Sequence, residues 1–157
     1  MIEQIHFQGT SYTPSDFASY KESHPEAFLP PTPYVPTLEE RKAWKKNEIA
    51  AAWRNDIEAV GMPVEGYDFA VDYDIEDALI WQNAIEFLDP TATEVEVRGI
   101  ENGFHVIPRA LFESIPAAQK AHYAQQLQKK WALQKAVDAA ETVEELEAIT
   151  WSMPASS

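Results

Sequence analysis

The sequence predicts a mainly α-helical chain with one small β-hairpin, an α+β class, in which a helical module follows a proline-rich N-terminal leader. Three observations carry that prediction. Two Thr-x-x-Glu capping boxes, Thr37 to Glu40 and Thr142 to Glu145, precede apolar residues at helical spacing. Five prolines crowd the stretch from Pro25 to Pro36, and Asn102-Gly103 separates two short segments of alternating character. The expected divisions are a leader over 1-36, a helix-rich domain over 37-151 with its hairpin near 93-107, and a flexible tail over 152-157.

Along the leader, Ile5 and Phe7 alternate with polar residues and predict a short strand within 2-8. Thr13-Pro14-Ser15-Asp16 offers an N-cap, a proline at the first helical position and an acid in the first turn, so a helix is expected over 14-23. Pro25, Pro30, Pro31, Pro33 and Pro36 then argue against helix and central strand and leave an extended connector. Its Pro33-x-x-Pro36 spacing around Tyr34 could dock into an aromatic groove, although a plain linker is the preferred reading.

The first capping box opens a helix expected to reach Val60, with Ile49, Trp53, Ile57 and Val60 as its buried stripe and Gly61 and Pro63 as its stop. Residues 61-72 read as irregular chain containing a short strand. Asp74, Glu76 and Asp77 place acids at the start of the next helix, whose apolar face is expected from Ile75, Ala78, Leu79, Trp81, Ile85 and Leu88. Val95 and Val97 alternate with Glu94, Glu96 and Arg98 ahead of Asn102-Gly103, which gives the hairpin. The longest helical pattern runs from Ile107-Pro108 to about Ala140, with a kink or break expected at Pro116. Tyr123, Leu127, Trp131, Leu133, Val137 and Ala140 form its core stripe, and the second capping box starts a short final helix through Leu146 and Ile149.

A chain of 157 residues with 45% hydrophobic residues and five tryptophans has enough apolar surface to fold rather than remain disordered. It has no cysteine, which excludes disulfides and thiolate metal sites. The net charge of -14 argues against a nucleic-acid partner, because phosphate binding is driven by Lys and Arg. Neither a signal-peptide pattern nor a long apolar run is found, so a cytoplasmic location without a membrane is expected. Residues 61-107 hold eleven acids against the single base Arg98. Such a field either keeps an aromatic-rich protein soluble, the preferred reading, or faces a basic partner.

No catalytic, cofactor or metal constellation is found. His6, His24, His105 and His122 lack metal-ligand spacing, and the acids from Asp72 to Asp77 fail as a calcium loop because Asp77 stands where a glycine is needed. No carboxylate is distinguished by an apolar setting that would prepare it for acid-base work. The basic residues Arg41, Lys42, Lys45 and Lys46 flank Trp44, but Glu39, Glu40 and Glu48 lie at intrahelical pairing distance, so a salt-bridged solvated face is expected.

Residues 44-151 resemble a family encoded by tailed bacteriophages and prophages near tail-fibre genes, often described as tail-fibre assembly proteins. The resemblance lies in the helix leading to Ala59-Val60-Gly61-Met62-Pro63-Val64-Glu65-Gly66, in Glu101-Asn102-Gly103-Phe104, and in the run from Ala136 to Leu146. The first hairpin strand lacks the tryptophan expected of that pattern. The resemblance implies a non-enzymatic assembly chaperone or fibre-binding protein, with a structural component of the tail or baseplate as the alternative. Its partner would be a tail-fibre or tail protein, met in the host cytoplasm during assembly, with retention in the virion tail and a homo-oligomer left open. Trp44 and Trp151, near segment ends, are the tryptophans expected to be exposed and, with Tyr34, to contact the partner.

Overall fold

The computed structural model describes residues 3-153, and the chain divides into two compact units, Met1–Val35 and Pro36–Ser157. The expected strand therefore begins outside the described residues at Ile2, and most of the expected tail, residues 154-157, also lies outside them.

In the first unit the leader is more ordered than its prolines suggest. Strand β1 (Ile5–Phe7) pairs antiparallel with a second strand, β2 (Thr10–Tyr12), across Gln8-Gly9. Both turn residues have positive φ, 48° and 78°, the twist that a two-residue hairpin requires. Helix α1 (Pro14–Ser23) starts as expected, with the Thr13 hydroxyl accepting from the Asp16 N–H at 3.2 Å. Residues Pro25–Phe28 form a 3-10 turn rather than extended chain. Proline is tolerated at its first position because that N–H has no partner to lose. The turn brings Phe28 onto Phe7, with ring centroids 5.1 Å apart, while Phe17 and Tyr20 pack around the same ring. None of these aromatics is fully buried.

The second unit is organised by α4 (Arg109–Ala139), a 31-residue helix of roughly 46 Å at 1.5 Å per residue. Its first half carries Phe112 and Ile115 into a core with β3 (Met62–Pro63), β4 (Ala70–Val71), α3 (Ile75–Phe87), β5 (Glu94–Arg98) and β6 (Phe104–Pro108). Its second half carries Leu133 and Val137 into another core with Ile49 of α2 (Leu38–Asn55) and with Leu146 of α5 (Val143–Glu147). Both capping boxes form, at Thr37 and at Thr142. Pro116 breaks nothing: the helix runs through it, and the proline is buried. A proline nitrogen supplies no donor to the Phe112 carbonyl one turn before it, and the helix continues without that bond.

Three apolar stripes differ from expectation. Helix α2 ends in a π turn over Asp56–Val60, and the wider turn swings Val60 out to 57% exposure while Ile57 stays against the core. On α3, Ala78, Trp81, Ile85 and Leu88 face inward, but Ile75 and Leu79 do not, and they share the outer surface with Ile80 and Phe87. On α4, Trp131 turns outward. The hairpin buries Val95, Val97 and Ile107 on one face and exposes Phe104 and Val106 on the other. Asn102-Gly103 does not form a two-residue turn. Asn102 takes the left-handed position, φ 68°, of a longer loop closed by Gly99 N–H to the Gly103 carbonyl at 2.8 Å.

Gly61 joins the π turn to β3 at φ 75° and ψ -176°, a region essentially restricted to glycine. A Cβ there would lie 2.7 Å from the Val71 carbonyl oxygen and 2.9 Å from Ile100 Cδ1. Gly61→Ala is expected to destabilise the fold by about 2–4 kcal/mol, measured by urea unfolding. Gly9→Ala, which meets nothing within 4 Å, costs only the strain of its backbone angle.

Candidate functional site

A groove of about 640 Å³ lies in the second unit between α3 and β5. Helix α3 supplies Asp77, Ile80, Trp81 and Ala84, Leu88 caps its end, and β5 with its following loop supplies the continuous run from Val95 to Ile100. Phe112 of α4 closes the floor, its ring 5.2 Å from that of Trp81. Asp72, just before α3, stands at the acidic end. The walls hold their places through polar ties to α4. The Gln119 amide donates to the Asp72 carbonyl at 2.7 Å, the Lys120 ammonium to Gln82 at 2.8 Å, and the Arg109 guanidinium to the Asp89 carbonyl at 2.7 Å.

The two aspartates are electrostatically uncomfortable, contrary to the expectation that no carboxylate would be so placed. Burial raises the Asp72 carboxyl above its ordinary value, and the charge of Glu58 adds to the effect. Burial also raises Asp77, and Asp72 adds to it, against a backbone hydrogen bond from Asp74 that lowers it. Among the described residues neither carboxylate takes part in an ion pair. The only cation lining the groove is Arg98, whose guanidinium donates to Asn102 at 2.7 Å. The groove therefore combines an apolar wall with negative charge that no ion pair among the described residues compensates.

Behind the groove, Tyr73 is fully buried and donates its hydroxyl to the Asp56 carboxylate of the π turn. Burial pushes its phenol strongly upward, so the group remains protonated and serves as a donor. The His122 ring stands edge-on against Tyr73, centroids 4.4 Å apart, and burial holds it below the ordinary histidine range. Among the described residues no group of three or more His, Asp or Glu could hold a metal ion. No described helix is long and apolar enough to cross a membrane.

The three residues expected to contact a partner are scattered. Trp44 is 55% exposed on α2, beside a shallow hollow of about 150 Å³ that it shares with Val143 and Leu146 of α5. Trp151 corrects the expectation: it is half-buried against the Leu133–Val137–Leu146 core, with the Lys129 ammonium 4.6 Å from its ring centre. Trp131, 53% exposed, is the second solvent-facing tryptophan instead. Tyr34 is 70% exposed in the other unit. The basic residues around Trp44 pair as expected within α2, Lys42 with Glu39 at 3.5 Å and Lys45 with Glu48 at 3.1 Å. Lys46 instead reaches Asp138 of α4 at 2.5 Å.

The groove does not stand out in the sequence, because Asp77 fits the pattern of a helix-start acid and Asp72 lies in a stretch without regular pattern. Asp74 is indeed the N-cap of α3. A legible signal was the excess of apolar residues on α3, where Ile75, Leu79, Ile80 and Phe87 exceed what a single buried stripe needs. Comparison with known proteins finds no matching family model, no matching curated protein and no matching solved structure.

Two outcomes follow from these charges. Asp72→Asn removes an ionised group that folding disfavours, and is expected to raise the thermal midpoint at neutral pH by about 1–3 °C after allowing for solvent screening. A raised carboxyl binds its proton more readily in the folded than in the unfolded chain. The gain from the substitution therefore shrinks as pH falls through the raised value, and calorimetry across that range checks it. His122 is expected to titrate below the ordinary histidine value in a proton NMR titration, and its contribution destabilises the fold as pH falls through the unfolded histidine range.

Proposed function

We propose that this chain is a non-enzymatic binding protein that holds a partner polypeptide during assembly, with the groove between α3 and β5 as its principal contact. The observation that carries the reading is the coincidence, on one helix, of the groove's apolar wall and a solvent-facing apolar surface. On α3, Ile80 is 63% and Phe87 86% exposed, within the segment that holds eleven acids and one base. Large exposed apolar side chains rimmed by charge are characteristic of surfaces that are covered by another protein. The acids would steer a basic partner and keep free copies apart, since like charges meet when two such faces approach.

The more specific form of the proposal, a chaperone for a phage tail-fibre protein, rests on the sequence resemblance of residues 44-151 alone. In this reading Trp44 provides a second contact on α2. Trp151 is assigned to core packing rather than to the partner, which revises the sequence expectation.

The test is the composition of purified virions together with fibre-subunit binding. The expected result is that mass spectrometry finds the chain absent from virions or far below stoichiometric, while fibre subunits co-purify with it from lysate. Stoichiometric presence would instead establish a structural tail component. Phe87→Ser with Ile80→Ser is expected to weaken fibre-subunit binding by about tenfold or more without moving the thermal midpoint, because both side chains already face solvent. Unchanged binding in this variant and in Trp44→Ala overturns the proposal.

A further inference from the structure

We propose that the unpaired edge of β5 takes up an extended segment of the partner as an added third strand, one whose alternate side chains are apolar and basic. The inference rests on the binding-protein reading and deepens it by naming how the partner is held.

The hydrogen-bond phase of the hairpin decides which backbone groups are free. Arg109 N–H donates to the Thr93 carbonyl at 2.9 Å, and Gly99 N–H to the Gly103 carbonyl at 2.8 Å. The register between these ends pairs Val95 with Ile107 and Val97 with His105. Antiparallel pairing alternates, so residues 93, 95, 97 and 99 direct their N–H and C=O groups at β6. Those of Glu94, Glu96 and Arg98 point the opposite way. Among the described residues, no backbone hydrogen bond outside the strand pair involves any of these three.

The groove opens at that edge. It is lined by residues from both faces of β5, Val95 and Val97 on one and Glu96 and Arg98 on the other, and by no residue of β6. A cavity touching both faces of one strand but not its neighbour lies along the strand's free side. Helix α3 forms the facing wall at a distance that leaves about 640 Å³. Five residues of β5 span roughly 17 Å at 3.3 Å per residue, so the edge suits an added strand of about that length. The other edge of the sheet is less suitable, because its outward positions include Pro108, which has no N–H to donate.

Charge selects the occupant. Asp72, Asp77 and Glu96 line the groove, and the one cation, Arg98, is already engaged with Asn102. A second copy of this strand would set Glu94 and Glu96 against the same acids, which disfavours self-pairing. A basic strand meets complementary charge, and its alternate apolar side chains lie toward Trp81, Leu88 and Phe112.

The test uses the full chain and a short capped peptide of alternating lysine and valine, followed by ¹⁵N NMR with amide hydrogen exchange. Binding is expected with slowed exchange at the Glu96 and Arg98 amides. The same peptide N-methylated at alternate residues, so that it cannot donate to the strand edge, is expected to bind at least about fivefold more weakly. An alternating glutamate–valine peptide should not bind. Glu96→Pro removes one outward N–H without touching the ladder, and should lose about fivefold more affinity than the charge control Glu96→Gln. Absence of binding, binding without amide protection, or equal binding of the N-methylated peptide each overturns strand addition. Fibre-subunit binding as tight in Glu96→Pro as in Glu96→Gln would show that strand addition fails while the binding-protein reading stands.

Discussion

The second unit depends on one interaction more than on any other: the burial of a single face of α4 along its whole length. Two separate apolar cores share that face, Phe112 and Ile115 serving one and Leu133 and Val137 the other. Neither the two short strand pairs of this unit nor α5 could stand by itself, since two-stranded sheets and five-residue helices are marginal in water. About a third of the way along the same face Gln119 is completely buried, and its amide donates to the Asp72 carbonyl. A buried amide without that bond would be costly, so the contact fixes the chain leaving β4 against the helix. Asp72 is thereby held at the groove, and the scaffold and the candidate site meet in one hydrogen bond.

That arrangement explains why the acids of the groove persist against their own repulsion. The helix ties down Asp72 from behind, Asp77 sits in the first turn of α3 where the dipole favours a negative charge, and β5 brings Glu96 from the facing wall. Among the described residues no lysine or arginine forms an ion pair with either aspartate, whereas Lys42, Lys45 and Lys46 are all paired elsewhere in the fold. Charge is thus sorted, with compensated surfaces where α2 meets α4 and uncompensated ones at the groove. Local rules broken without a compensating contact inside the chain commonly mark a functional surface. The exposed Ile80 and Phe87 on α3 break the pattern rule at the same place.

The helices were legible in the sequence because their signals are local. Thr13, Thr37 and Thr142 all cap as the residue pattern indicates, since each N-cap bond reaches only three residues along the chain. The hairpin was legible from Val95 and Val97, but its Asn102 turn was not, because the Ile100 N–H bonds the distant Ala70 carbonyl and draws the loop into a longer form. The β1–β2 turn at Gln8-Gly9 was missed because glutamine rarely signals a positive φ. The 3-10 turn at Pro25–Phe28 was missed because the prolines masked the pull of Phe28 onto Phe7.

The sequence by itself determined the mainly helical class, the starts of the capped helices and the excess of acid in the middle third, because propensity, capping and composition act over a few residues at a time. Tertiary structure decided which apolar residues are covered. Trp151 packs and Trp131 does not, Ile57 packs and Val60 does not, and the difference in each pair comes from where a neighbouring element lies rather than from the residue's own character. The groove belongs wholly to this second kind of information. Asp72, Asp77, Trp81 and Glu96 are separated along the chain and share a surface only because α3 and the hairpin dock on the same end of α4.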